Sequence, residues 1–391
     1  MKKLAITLVT SLLCVAGAEV GLRVFVPPRF HQVFDERSLS KPNPNSDWTY
    51  VLDEGNGGKR IPVHINSLGF RGAEIPIQKA ADMRIMVYGD SFIEAEFTAE
   101  ENTFAEQLGR LMAAATRKSI ETINAGVSGY GPDQISLRLD AELDRFKPDL
   151  VIIAVYSGND FGDLIRNKLY KLDANGALIP NDHDLSASMK SQLILPRWRT
   201  LWAARRLFAY VSGENSTNPK PLDRATYMET ALAECLNEYD DYKQSSKVKN
   251  LFVDHYDADV SLTPDSESAR YKTALMNQIL LRIQRSAGQR KVPLVFMFIP
   301  AAVDICADFG VKVDGPGFPA YQPSTLTGRL ENIALTNRLR YLNLFAGFKE
   351  DPCRLFFKYP NGHWNDAGQR LAAQEMSQFI LSSLSPDKAA R

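Results

Sequence analysis

Ser91 stands just after the apolar run Ile85-Met86-Val87-Tyr88, inside the tetrapeptide Gly89-Asp90-Ser91-Phe92. The run reads as a strand that ends by presenting one hydroxyl. A serine hydroxyl is a poor nucleophile unless a base takes its proton and donors await the oxyanion. Candidates for both lie further along the chain. His363, in Asn361-Gly362-His363-Trp364, is the candidate base. Gly129, in Ala125-Gly126-Val127-Ser128-Gly129-Tyr130-Gly131, offers a backbone N–H that no side chain blocks. Asn159, in Ser157-Gly158-Asn159-Asp160, offers a side-chain N–H. The N–H of Ser91 is a third candidate donor. Such pre-aimed donors are worth roughly 3–4 kcal/mol each in serine hydrolases. The chemistry these residue types could do together is acyl transfer at an ester carbonyl. Gly126 competes with Gly129 for the oxyanion role, and Asn159 has the rival task of capping a helix. Asp90 reads as a turn-fixing residue rather than a catalytic one.

The elements that must position these residues alternate along the chain. Strands are expected at Arg84–Gly89, Ile120–Asn124, Leu150–Tyr156, Val292–Ile299 and Tyr341–Phe345. Leu150–Tyr156 is nearly all apolar, as in a strand buried on both faces. Helical spacing marks Glu101–Arg117, where Phe104, Leu108 and Leu111 share a face, and Pro132–Phe146. A last helix is expected from about Ala367 to Ser383. Strand-helix alternation argues for a parallel sheet covered by helices on both faces. Sites in such sheets form beyond the carboxyl ends of the strands, where the marked residues fall. The stretch from about 161 to 290 interrupts the alternation with mostly helical patterns and a turn-rich piece near Leu172–Asp184.

Taken in order, the blocks Gly89-Asp90-Ser91-Phe92, Asn124-Ala125-Gly126-Val127-Ser128-Gly129, Gly158-Asn159-Asp160 and Asn361-Gly362-His363-Trp364-Asn365 resemble those of the SGNH (GDSL-type) hydrolase superfamily. The resemblance covers about 84–163 and 292–383. It implies a flavodoxin-like three-layer α/β fold and an ester-cleaving or acyl-transferring activity needing no metal or organic cofactor. One departure matters. The family usually carries an aspartate two or three residues before the histidine, where this chain has Asn361 and Pro360. Asn361 can orient the imidazole but brings no charge to stabilise imidazolium; the equivalent change in a serine protease costs about 10⁴ in rate. Three readings stay open: a carboxylate from elsewhere, with Asp351 and Asp366 nearest in sequence; a Ser–His dyad; or a site that binds without turnover.

Outside these blocks, Lys2-Lys3 precedes an uncharged run from Leu4 to Ala18, and Glu19 and Arg23 then interrupt it. The run suits a signal peptide, with Ala16-Gly17-Ala18 as the cleavage site, or an uncleaved anchor reaching about Val26. Either reading exports the protein, to the periplasm or to the outward face of an inner membrane. Residues 27–80, rich in Pro, Asn and Gly, read as an arm leading to the domain at 81–391, with Asn66–Arg71 as a turn. The exported, arm-bearing form is similar to bacterial proteins that act on acetylated cell-surface polysaccharides. With Lys and Arg balancing Asp and Glu at 46 each, nothing points to nucleic acid. Of Cys14, Cys235, Cys306 and Cys353, the last two are the expected disulfide; the absence of CxxC argues against zinc. Arg197-Trp198-Arg199 through Arg205-Arg206 reads as a helix packed on the core, with a lid, a sugar-stacking surface or a contact with anionic lipid as alternatives. His31, His64, His183 and His255 sit in no motif.

These expectations converge on an exported serine esterase acting on an O-acetyl or other short acyl ester, with a cell-surface glycan as a candidate carrier. The rivals are an extracellular polysaccharide O-acyltransferase and a silent glycan-binding protein.

Overall fold

The apolar run at the start of the chain is helical: α1 spans Lys2–Phe25. Ala5–Phe25 is long and apolar enough to cross a membrane, and none of it is buried. That length and composition suit both a signal sequence and an anchor. The computed structural model describes residues 2–25, 32–194, 198–211, 224–252, 255–311 and 313–384. Val26 to His31 and Arg197 lie outside the described residues, and for Trp202, Arg205 and Arg206 the backbone alone is described.

The Pro- and Gly-rich composition of the arm reads as a spacer, but its described part is folded. β1 (Gln32–Asp35) pairs antiparallel with β2 (Leu39–Pro42), and β3 (Ser46–Val51) with β4 (Arg60–Ile65). Inward-facing Ile61, Val63 and Ile65 of β4 are buried. The Asn66–Arg71 turn is closed by Asn66 Oδ1, which accepts the N–H groups of Leu68 and Phe70 at 3.0 Å each. Beyond the turn, Arg71 N donates to Asn124 O at 3.2 Å. The Arg71 guanidinium donates to the carbonyls of Glu94, Ala95 and Thr98. Buried polar groups must be paired, and here arm and domain pair each other's.

The domain then runs β5 (Met83–Gly89), α2 (Ser91–Glu94), α3 (Phe104–Thr116), β6 (Ile120–Gly126), α4 (Pro132–Phe146), β7 (Leu150–Tyr156) and α5 (Asp160–Asn167). An irregular region follows, with the hairpin β8 (Tyr170–Leu172) and β9 (Leu178–Pro180) and the short strand β10 (Asp184–Leu185). Then come α6 (Ala187–Leu193), α7 (Arg199–Val211), α8 (Tyr227–Gln244), β11 (Lys247–Val248), α9 (Ala258–Leu262) and α10 (Glu267–Gln289). The chain closes with β12 (Leu294–Ile299), α11 (Ala302–Ile305), α12 (Thr325–Asn337), β13 (Tyr341–Asn343), α13 (Phe345–Phe348) and α14 (Asp366–Leu384).

The main sheet has five strands in the order β13-β12-β7-β5-β6, and every pair in it is parallel. Successive side chains of a strand point to opposite faces, and the two cores divide accordingly. Ile85, Val87, Ile152, Ala154, Val295 and Met297 meet Phe104, Leu108 and Met112 of α3 and Ala372, Ala373 and Met376 of α14. Met86, Tyr88, Val151, Ile153, Phe296 and Phe298 meet Leu139 and Leu143 of α4 and Met276, Ile279 and Leu280 of α10. The result is a three-layer α/β fold with a helical insertion. The chain leaves β5 for β6 on one side, then crosses to β7 on the other. That reversal opens a crevice beyond the carboxyl ends of β5 and β7, where ligands bind in folds of this topology.

One expectation about the insertion is overturned. The Arg- and Trp-rich segment is helical, as α7, but among its described side chains Trp198, Leu201, Leu207 and Phe208 are exposed rather than packed on the core.

Candidate active site

Ser91 is held by backbone geometry. β5 stops at Gly89, and Asp90 caps the single turn of α2 by accepting the Phe92 N–H at 2.9 Å. Ser91 is thus the first residue of a helix that starts abruptly from a strand, and its own N–H has no partner inside the helix. α2 lies directly on the end of β6. A Cβ on Gly126 would sit 2.1 Å from Glu94 N, so only glycine fits there. Asn124 Nδ2 donates to Ile93 O at 2.7 Å, and Asn124 Oδ1 accepts Gly126 N–H at 3.0 Å. The Gly126 N–H is therefore engaged, which leaves Gly129 as the glycine donor candidate of this loop.

The histidine arrives on the loop between α13 and α14. His363 Nε2 lies 2.8 Å from Ser91 Oγ. Its other nitrogen, Nδ1, is 3.0 Å from Asn361 Oδ1 and 3.2 Å from Asn361 O. For Nε2 to accept the serine proton, the ring must carry its own proton on Nδ1, and Asn361 accepts there. Asn361 Oδ1 also accepts the His363 backbone N–H at 3.1 Å. Asp351 and Asp366 serve elsewhere: Arg354 donates to Asp351 at 3.1 Å, and Asn102 to Asp366 at 3.1 Å. Phe92 stacks on the imidazole at 4.9 Å, and Phe97 lies at 5.3 Å. Buried Trp364 packs edge-on against Phe92 and tilted against Phe348. Cys306 and Cys353 form a disulfide that ties the chain after β12 to the approach of this loop.

Asn159 follows β7. Its side chain makes no cap hydrogen bond to α5. Ser157 Oγ, Asn159 Oδ1 and Asp160 Oδ1 are buried without a hydrogen-bond partner among the described residues. Buried polar atoms ordinarily find a partner, water included. Burial raises the Asp160 carboxyl well above the usual carboxylate range, with the charges of Asp90 and Asp163 adding to it.

Ser91, Asn159, Asn361 and His363 line one cavity of about 170 Å³, walled by Phe92, Tyr156, Tyr227, Tyr256 and Phe309. Gly129 does not line it. It sits in the adjoining loop at φ +73°, with Leu251 O 3.1 Å from where its Cβ would be. That loop is held from both sides. Ser128 N donates to the Glu94 carboxylate, and Gln32 Nε2 of the arm donates to Ser128 O at 2.6 Å. Burial and the nearby Glu96 push Glu94 up to about 8. The arm also reaches the histidine loop, where Asn56 accepts Lys358 N–H at 2.7 Å.

Sequence reasoning missed the cavity walls contributed by the insertion, above all Tyr227, His255 and Tyr256. No motif surrounds them, because tertiary folding alone brings them to Ser91. His255 is an ion-pair partner of Glu238 at 3.1 Å. Burial lowers its pKa, but hydrogen bonds to Cys235 and Glu238 outweigh that and hold it up at about 10. Tyr256 and Tyr321 both donate to Asp304, whose carboxyl burial pushes up to about 7. Behind the site, buried Cys235, Asp257 and Asp259 lie close enough together to hold a cation. Lys272 Nζ, 2.9 Å from Asp259 and 3.3 Å from Asp257, supplies that positive charge.

No family model matches the chain, and no curated protein does. Among solved structures it is similar to the psychrotrophic esterase EstA from Pseudoalteromonas sp., at 13% identity over 78% of this chain and 99% of that one, with a TM-score of 0.38. It is similar to a catalytic mutant of the acetylxylan esterase Axe2 from Geobacillus stearothermophilus, at 11% identity over 77% and 95%, with a TM-score of 0.37. A lipase/acylhydrolase from Enterococcus faecalis matches at 13% identity over 78% and 98%, with a TM-score of 0.36. The similar structures are thus ester hydrolases at low identity. Likenesses this distant carry no argument about residue roles or substrate, which rest on the geometry of this chain.

Proposed function

We propose that the protein is a serine ester hydrolase of the SGNH type that removes a short acyl group. The observation that carries this reading is the 2.8 Å contact of Ser91 Oγ with His363 Nε2, with Nδ1 held by Asn361. In this scheme Ser91 Oγ attacks the ester carbonyl while its proton passes to Nε2. The oxyanion is met by the Ser91 N–H and the Asn159 amide, with the Gly129 N–H of the adjoining loop as the third candidate donor. Nε2 then gives its proton to the departing alcohol oxygen, leaving an acyl-Ser91 ester. Water repeats the sequence: it loses a proton to Nε2, attacks the acyl carbon, and the acid leaves as Oγ recovers the proton. Asn361 fixes the ring without adding charge, so the site works as an oriented dyad. A cavity of about 170 Å³ with aromatic walls supports a small acyl group, acetyl above all, on an alcohol that extends outward. The apolar, unburied α1 suits an exported or anchored chain, and an acetylated surface carbohydrate is the substrate this reading takes.

The test is intact-mass labelling of the purified chain with a small fluorophosphonate, followed by acetate release from acetylated sugars. One adduct on the wild type, absent from Ser91→Ala and His363→Ala, is expected. The rate of acetate release should fall by roughly 10⁴-fold in either variant, less than the ~10⁶ of a complete triad because Asn361 brings no charge. A folded wild type that takes no adduct, or an adduct that survives Ser91→Ala, overturns the reading.

A further inference from the structure

Besides α1, α7 stands out among the described helices for large apolar side chains that face outward. Trp198, at its start, is 58% exposed, Leu201 50%, Leu207 64% and Phe208 67%. A water-exposed cluster of this kind marks a surface that something covers. The start of α7 docks on α1. Its first N–H groups, on Arg199 and Thr200, donate to the carboxylate of Glu19 in α1 at 3.0 and 2.9 Å, and Thr200 Oγ1 donates to the same carboxylate at 3.0 Å. Arg23 Nε donates to it as well, at 2.8 Å.

Glu19 is the charge that interrupts the apolar run of α1. A bare carboxylate is costly inside a membrane helix. Here it is taken up by four donors, three of them from α7. If Ala5–Phe25 is the span, its rise of 1.5 Å per residue gives ~31 Å, the thickness of a bilayer core. Glu19 then lies about 9 Å inside the Phe25 end. Amphipathic interfacial helices seat their apolar face ~5–10 Å into the headgroup and acyl boundary. The depth of the cap and the exposure of the helix agree.

We propose that α7 is an interfacial membrane helix, docked on α1 through Glu19 and seated in the outer leaflet of the bilayer that α1 crosses. Its occupant is lipid, acyl chains against Leu201 and Phe208 and the boundary region against Trp198. The chain thus meets the membrane twice, and the second contact fixes how the domain stands over it. This rests on α1 remaining as an anchor, and the experiment separates the two.

Full-length chain is reconstituted in phosphatidylcholine–phosphatidylglycerol vesicles and floated, and its intact mass is taken. The Trp198 signal is the difference in fluorescence between wild type and Trp198→Phe. Lipids brominated on their acyl chains should quench that difference at least threefold more than aqueous iodide does. Leu201→Asp with Phe208→Asp should reverse the ratio while the chain still floats, and Glu19→Ala should reduce it. A floating, intact chain whose Trp198 is open to iodide and untouched by bromolipid overturns the assignment of α7 alone. Quenching by neither reagent means a protein surface covers α7, and overturns the lipid assignment. A chain that does not float, or begins after Ala18, overturns the anchor and the proposal together.

Discussion

The loop carrying Ser91 and the loop carrying His363 are built by opposite means. Ser91 is placed by main chain: a buried parallel strand, an abrupt one-turn helix, and a glycine on the neighbouring strand that lets the two backbones touch. His363 is placed by side chains and a cross-link: Asn361 under the ring, Phe92 and Phe97 beside it, Asn56 of the arm at Lys358, and the Cys306–Cys353 bond at its approach. A nucleophile set by backbone is rigid but intolerant, because no rotamer can absorb an intrusion. A base set by many weak contacts can be tuned, and it can be loosened one contact at a time.

The sharpest way to break this comparison is to add one carbon on the serine side. Gly126→Ala places a methyl 2.1 Å from Glu94 N, so α2 must move. Overpacking costs typically ~1–3 kcal/mol and more where backbone resists. A loss at or above that upper end, with fluorophosphonate labelling abolished, is expected in urea unfolding and mass labelling. Wild-type stability in this variant would show that α2 is not seated as described.

On the histidine side the largest effect should come from the cross-link. Replacing Cys306 and Cys353 together by serine opens a loop with a separation of 47 residues, worth about 4 kcal/mol in the chain-entropy model. The melting temperature should fall, while labelling of the still-folded fraction persists at reduced rate. Labelling unchanged in rate would separate the disulfide from the placement of His363.

Asp304 tests the cavity wall through pH. Burial raises its pKa to about 7 from an ordinary 3.8, so the folded state holds its proton more tightly than the unfolded state. Its contribution is therefore full below pH ~4 and is lost as pH rises through about 7. Asp304→Asn should flatten the decline in unfolding free energy between those limits. An identical slope in both proteins would remove Asp304 from the account.

The smallest and most informative change is Asn361→Asp. It keeps the shape and adds the missing charge beside His363 Nδ1. A rise in labelling rate of roughly 10–10²-fold is expected, well short of the ~10⁴ lost by the reverse change in a serine protease. No rise at all would mean that Asn361 does not orient the ring.

The legibility of the molecule follows the same division. Strands buried on both faces announce themselves as unbroken apolar runs, and β5, β6, β7, β12 and β13 all lie within a few residues of their expected positions. Helix α3 begins at Phe104 rather than Glu101, because Thr103 caps it and Glu100–Asn102 forms a separate 3-10 turn. The Ser91, Asn159 and His363 blocks are readable as short local patterns, and the structure brings all three to one cavity; Ser91 and Asn159 follow strand ends as expected, whereas His363 lies beyond α13, just before α14. Gly129, equally readable, sits beside that cavity rather than in its wall. The arm was not readable as a folded unit, since its short strands are held by partners far away in sequence, such as Ser128 and Lys358. The exposure of Leu201, Leu207 and Phe208 of α7 is not legible in the sequence, since an amphipathic pattern states that an apolar side exists but not what meets it.

What the sequence determined by itself was local: the apolar runs that become a parallel sheet, the residue types that sit at the strand ends, and the absence of an aspartate at position 361. Tertiary structure alone decided the rest. It chose which carboxylates stay away from His363, which aromatic residues of the insertion wall the cavity, and which charge of α1 caps α7. Those outcomes depend on distances between residues remote in the chain, and such distances are set only when the whole core closes.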